Sequence, residues 1–101
     1  MATPKTVEWL KKATTQLYEV AGYIQDEFGQ RAAHKFIIKA FQRSEFVARH
    51  PEIGRRSRRY KTVWFVLLGK HHRMYYRVEG AKLFIAQLFD TRQDPKKDTY
   101  R

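Results

Sequence analysis

A chain of 101 residues with 43% hydrophobic and 15% aromatic content is one domain with a thin core, not a disordered segment. With no cysteine it has no disulfide, thiolate nucleophile or Cys-based zinc site. Lys and Arg number 21 against 10 acidic residues, a formal net charge of +11. That excess favours nucleic acid, an acidic protein or an anionic surface as partner.

The charge is lopsided: 13 of the 21 cations follow Ile53, against four of the 10 acids. No apolar run approaches the ~20 residues of a membrane span, and residues 1–12 lack the apolar core of a signal peptide. A soluble cytoplasmic protein with no membrane partner is expected.

Residues 1–5 are expected to be loose. Thr6-Val7-Glu8-Trp9 alternates polar and apolar, which suits a short strand or the first turn of the next helix. Over 11–28, Ala13, Leu17, Val20, Ala21, Ile24 and Phe28 form one helical stripe, which Gly29 stops. A second stripe, Ala33, Phe36, Ile37, Ala40, Phe41 and Val47, predicts a helix over 30–49, which Pro51 ends. Two helices joined at one glycine read as an antiparallel hairpin.

Residues 54–61 read as a loop with five cations and almost nothing to bury. Residues 63–68 are continuously apolar, as in a strand covered on both faces. Gly69-Lys70 fits a two-residue hairpin turn, 71–78 a second strand, Glu79-Gly80-Ala81 another turn and 82–89 a third strand. Residues 90–101 read as a polar tail. The fold class is α+β: a small antiparallel sheet, a three-stranded meander plus a short N-terminal strand, packed against the helical hairpin. Met74 and Tyr76 are expected to face the helices, which places Arg73, Tyr75 and Arg77 on the other face.

Three groups of residues are able to carry chemistry. Arg55, Arg56, Arg58, Arg59 and Lys61 cluster in one loop, and guanidinium groups bind phosphate bidentately. The bland alternative is a solvated loop. Arg73, Tyr75 and Arg77 can hold a phosphate and stack a base, or simply pack across the sheet. Asp90, Arg92 and Gln93 follow the last strand, where a carboxylate is a base or an ion-pair partner. One of His71 and His72 is expected to face the site. The four histidines lack metal-motif spacing, so no metal or other cofactor is implied.

The order of pieces resembles the RelE/ParE superfamily of type II toxin–antitoxin toxins. The pieces are Val7-Glu8-Trp9 with Lys12-Ala13 and Leu17, Tyr23-Ile24, Ala32-Ala33 with Phe36, and His50-Pro51-Glu52-Ile53-Gly54-Arg55. They continue with His72-Arg73-Met74-Tyr75-Tyr76-Arg77-Val78 and Phe89-Asp90-Thr91-Arg92-Gln93-Asp94-Pro95. The resemblance makes Thr6 to Trp9 the first strand. Leu10 departs from the family, whose members often cap the first helix there with serine or threonine.

The resemblance implies growth arrest and an acidic cognate antitoxin that forms a hetero-oligomer with the toxin. It leaves two targets. RelE-like and YoeB-like members cleave mRNA in the ribosome without metal; ParE-like members poison DNA gyrase and need no nuclease residues. Arg73 matches the strand arginine of the nuclease type, which makes a ribosome-dependent mRNA endoribonuclease the first expectation. Arg73 then stabilises charge, Arg92 is a second cation, and Tyr75, His71 and Asp90 are candidate bases, with Tyr75 grouped among the catalytic residues. Arg55, Arg56, Arg58, Arg59, Lys61 and Arg77 then bind nucleic acid. The paired His-Tyr ending of YoeB-like members is missing, and Pro51-Glu52-Ile53-Gly54-Arg55 is common in the ParE-like branch. A non-toxic basic binding module is the third reading.

Overall fold

The computed structural model describes residues 3–100. Strand β1 (Thr6–Trp9) leads into helices α1 (Lys11–Phe28) and α2 (Gln30–Arg49). A single turn of 3-10 helix, Pro51–Ile53, then delivers the chain to β2 (Arg55–Arg56), β3 (Trp64–Leu68), β4 (His72–Glu79) and β5 (Lys82–Asp90). A second 3-10 turn, Pro95–Lys97, follows. The sheet order is β1-β5-β4-β3-β2, with β1 parallel to β5 and every other pair antiparallel.

The α+β architecture is the expected one, with local differences: the sheet is mixed rather than wholly antiparallel, because the N-terminal strand runs parallel to β5. Of the loose 1–5 segment, Met1 and Ala2 lie outside the described residues. Lys5 is tied down: its N–H donates to the Ala48 carbonyl at 3.0 Å and its Nζ to the Gly80 carbonyl at 2.7 Å. Leu10 stands at the N-cap of α1 and gives it no side-chain hydrogen bond. Gly29 joins the helices at φ +95°, a backbone conformation that favours glycine. The basic loop is not wholly irregular, because Arg55 and Arg56 pair with Phe65 and Trp64 as a fifth, edge strand. The first hairpin turn is one residue longer than expected, since Leu68 pairs with His72 and leaves Gly69, Lys70 and His71 in the loop.

The helices cover one face of the sheet. Ala13, Leu17, Ala40 and Val47 pack with Val66, Leu68, Met74, Tyr76, Leu83, Ile85 and Leu88, and Val7, Trp9, Phe36 and Trp64 close the edges. Phe28, the last residue of α1, is 72% exposed, and Phe41, within α2, is 42% exposed with its ring edge-on to Trp9 of β1 at 5.5 Å, so neither is buried as the helical stripes led one to expect. A second, smaller cluster of Val63, Tyr75 and Phe89 with Phe65 and Tyr100 lies on the opposite face. That face is covered by residues 94–100 rather than by a second layer, and Leu67 on β3 stays 53% exposed there. The expectation of a strand covered on both faces therefore fails at this position.

The β4–β5 ladder is irregular: Tyr75 pairs with Gln87 but Tyr76 pairs with Ile85, so Ala86 is an extra residue. A one-residue insertion inverts the alternation of everything beyond it. Leu83 and Ile85 face the helices before the bulge and Leu88 does so after it. Gln87 is thereby sent to the opposite face. Gln16 of α1 marks the same region, its Oε1 accepting from the Leu88 N–H at 2.9 Å.

Candidate functional site

The C-terminal segment is not a free polar tail but a strap. Asp94 caps its 3-10 turn by accepting from the Lys96 N–H at 3.0 Å. The next turn buries Asp98 to 4% exposure. Asp98 accepts three hydrogen bonds, from the Tyr75 hydroxyl at 2.5 Å, Gln87 Nε2 at 3.3 Å and the Tyr100 N–H at 3.0 Å. A buried carboxylate is tolerated only with such a complement of donors. Ser57 holds the strap from the other side, donating its hydroxyl to the Tyr100 carbonyl. The same oxygen accepts from the N–H groups of Arg59 and Tyr60, both at 3.2 Å, and so fixes the basic loop. The rings of Tyr60 and Tyr75 both rest against Tyr100, with centroids 5.6 and 5.4 Å away.

Between the strap and the basic loop lies a cleft of about 1100 Å³. It is lined by Arg55 and Arg56 of β2, Arg58 and Arg59 of the loop, Arg73 of β4 and Lys96 of the strap. Phe65 forms part of its wall, and the Arg73 guanidinium sits 4.4 Å from the Phe65 ring centroid. Arg73 Nη1 also donates to the Tyr75 hydroxyl at 3.2 Å. Of the residues named from sequence, Arg55, Arg56, Arg58, Arg59 and Arg73 therefore converge. Lys61 and Arg77 do not line this cleft; Arg77 stacks on Phe84 at 5.0 Å and meets Glu79 at 3.4 Å.

Tyr75 is fully buried. Burial is the first cause that pushes its hydroxyl up to about 12, followed by the hydrogen bond to Asp98. Tyr76, also fully buried, is pushed up to about 12 by burial. Its hydroxyl donates to the Pro51 carbonyl at 2.7 Å and accepts from the Gly54 N–H at 3.1 Å, pinning the start of the basic loop.

Arg92, Asp90, His71 and His72 belong to a separate cleft of about 810 Å³, whose other walls include Tyr23, Phe28 and Phe36 of the helices. Arg92 and Asp90 grip each other there, Nε to Oδ1 at 3.0 Å and Nη2 to Oδ2 at 2.8 Å. That hydrogen bonding is the main reason the Asp90 carboxyl titrates low, at about 2. His72, opposite Asp90 in the ladder, has its pKa lowered chiefly by burial. The expectation that one of the two histidines faces the arginine cleft fails, because His71 sits in the turn and both side chains line the helix-side cleft. Sequence reasoning missed Ser57, Gln87 and Asp98; Ser57 was visible only as a small polar residue amid arginines.

Solved structures share this fold, three of them as follows. One is the chromosomal ParDE toxin–antitoxin system from P. aeruginosa, 16% identical, covering 85% of this chain and 95% of that chain with a TM-score of 0.74. A YoeB/ParE toxin from Agrobacterium tumefaciens is 18% identical, over 84% of this chain and 96% of that one, with a TM-score of 0.58. A YoeB dimer from Staphylococcus aureus is 14% identical, over 86% and 97%, with a TM-score of 0.57. None of the curated proteins compared matches the sequence. The sequence model of the ParE toxin of the type II toxin–antitoxin system, parDE, matches residues 7–95.

The chain belongs to the ParE toxin family. It is the toxin of a type II toxin–antitoxin system, and an antitoxin is its partner. Among the described residues of this ParE-family toxin, no helix is long and apolar enough to cross a membrane.

Proposed function

We propose that this toxin arrests growth by trapping a protein target rather than by cutting RNA, and that the target is DNA gyrase, as the ParE-like resemblance implies. One observation carries the reading: among the described residues lining the cleft with Arg73 there is no histidine, and the one carboxylate, Asp98, is buried and already accepts from Tyr75, Gln87 and the Tyr100 N–H. Metal-free RNA cleavage needs a base for the 2′-hydroxyl, charge stabilisation at phosphorus and an acid for the leaving oxygen. The base works best with a pKa near the operating pH. The nearest candidate, Tyr75, is buried, already bonded to Asp98 and pushed up to about 12. Asp90 is closed on Arg92 and lies with His71 in the other cleft. Arg73, Tyr75 and Arg92 are therefore not arranged around one reacting atom.

The same geometry weighs against the ribosome-dependent cleavage that Arg73 first suggested. The antitoxin partner is proposed to be acidic overall, complementing the net charge of +11. The test compares two assays on one purified toxin. Gyrase supercoiling should be inhibited, with accumulation of broken DNA, while primer extension on mRNA from arrested cells should show no new ends. New mRNA ends with unaffected gyrase would overturn the reading.

A further inference from the structure

The arginine cleft concentrates positive charge that the chain does not compensate. Among the described residues, none of Arg55, Arg56, Arg58, Arg59 and Arg73 has a carboxylate oxygen within 4.0 Å. Asp98, the one acid in the lining, is spent on Tyr75, Gln87 and the Tyr100 N–H. Like charges gathered in one concavity repel, and a bound anion relieves that repulsion.

The arginines are also presented for use. Arg73 rests over Phe65, part of the cleft wall, at 4.4 Å, whereas Arg56 stacks at 5.0 Å on Trp64 at the edge of the helix-side core. Stacking of this kind holds the guanidinium plane while leaving N–H edges for a planar or tetrahedral oxyanion. Such forked donors match phosphoryl oxygens, which accept them in pairs. Beside them, Tyr100 lines the cleft and the neighbouring Tyr60 is 40% exposed. Ring faces beside a cationic groove are the means by which proteins hold bases without reading them.

We propose that this cleft binds a nucleotide unit, its phosphoryl group on the arginines and its base against Tyr100, and that it does so without cleavage. The proposal goes beyond the gyrase reading, since it concerns a ligand of this cleft and holds whichever macromolecule the toxin arrests. The strap is part of the site. Tyr100 reaches the cleft because Ser57 holds its carbonyl and Asp98 holds its N–H.

The experiment measures fluorescence anisotropy of a labelled oligothymidylate against the full chain across a salt series. Competitors are thymidine monophosphate, inorganic phosphate and a glutamate-rich peptide of equal charge. Binding that weakens with salt, and a mononucleotide that competes better than inorganic phosphate, support the site. An oligonucleotide that competes far better than the mononucleotide per phosphate assigns it to single-stranded nucleic acid; equal competition assigns it to free nucleotides. Arg55→Ala with Arg58→Ala should lower the logarithmic salt slope by roughly 1.4, the share of two phosphate contacts on a single strand. Tyr100→Leu, which keeps the backbone contacts of the strap, should weaken the mononucleotide roughly fivefold or more. Circular dichroism melts confirm that each variant is folded, and Arg55→Lys with Arg58→Lys, which keeps the charge, should fall between wild type and the alanine pair. The proposal is overturned if the peptide displaces the probe as well as unlabelled oligonucleotide does. It is equally overturned if the folded alanine pair retains the affinity and slope of the wild type.

Discussion

The Tyr75 hydroxyl donates to the Asp98 carboxylate across 2.5 Å, and this bond joins the middle of the sheet to the strap that crosses it. Removing the acceptor strands three donors at once: Tyr75, Gln87 Nε2 and the Tyr100 N–H. Asp98→Ala should therefore destabilise the domain by about 2–3 kcal/mol, the scale for buried polar groups left unpaired beside a lost charged acceptor. Hydrogen exchange should speed up in residues 94–100 before it does so in the helices. A melt unchanged from wild type would show that the strap contributes nothing to the fold.

Alkaline titration should separate the tyrosines. Tyr75 and Tyr76 are pushed up to about 12 by burial, above an ordinary value of 10.0. In the unfolded chain they lose their protons first, so between these values the folded state holds more protons than the unfolded one. Stability is thus intact below pH 10 and falls as pH rises toward 12, by about 1.4 kcal/mol per pH unit for each such group at most. Ultraviolet difference titration should show two of the six tyrosines ionising late, together with unfolding. Tyr75→Phe should remove one of the two late steps.

Gly54 is a steric requirement rather than a flexible joint. A Cβ there would meet the Tyr76 hydroxyl, and would lie 2.9 Å from the Phe65 carbonyl oxygen, which is backbone and cannot swing away. Gly54→Ala must push Tyr76 off the Pro51 carbonyl or open the β2–β3 pair. A loss of about 2–4 kcal/mol is expected, combining overpacking with a lost buried hydrogen bond. Thermal denaturation measures it, and Gly22→Ala, where nothing lies within 4 Å of the added Cβ, is the control that should not destabilise.

Arg73→Ala separates binding from cleavage. On the proposed function it should stay toxic, because trapping a protein target needs no charge stabiliser at phosphorus. A nuclease that lost its charge stabiliser would slow by roughly 10²–10³. Growth curves at matched expression, with melts to confirm folding, give the answer. Loss of toxicity in a folded Arg73→Ala chain, with mRNA ends that vanish, would return the cleavage reading to first place.

Much of the fold was legible because it rests on periodicity. The helical stripes and the strand pairs around Gly69 and Gly80 are local signals, and β1 was decided by resemblance where its four residues were ambiguous. The candidate site was legible only as a cluster of arginines. A period of two over 82–89 assigns Gln87 to the same face as Leu83 and Ile85, and nothing local announces the extra Ala86 that reverses it. The acid of the strap was hidden for a related reason: among polar residues, burial of one carboxylate depends on donors far away in sequence. Asp90 and Arg92 were named because they are adjacent to a strand end, yet they satisfy each other.

The parallel pairing of Thr6–Trp9 with residues 82–85 bears on when this chain becomes dangerous to its host. During synthesis the first strand emerges early and finds no partner until both helices and the β3–β4 hairpin have followed it. Pairing of such distant segments is slow and incurs a large loop-closure entropy. The sheet that supports the cleft and the strap thus closes only after β5 has appeared. A chain halted before that point has an unpaired strand and an unburied helical hairpin, so interrupted translation yields degradable fragments rather than a partly working poison.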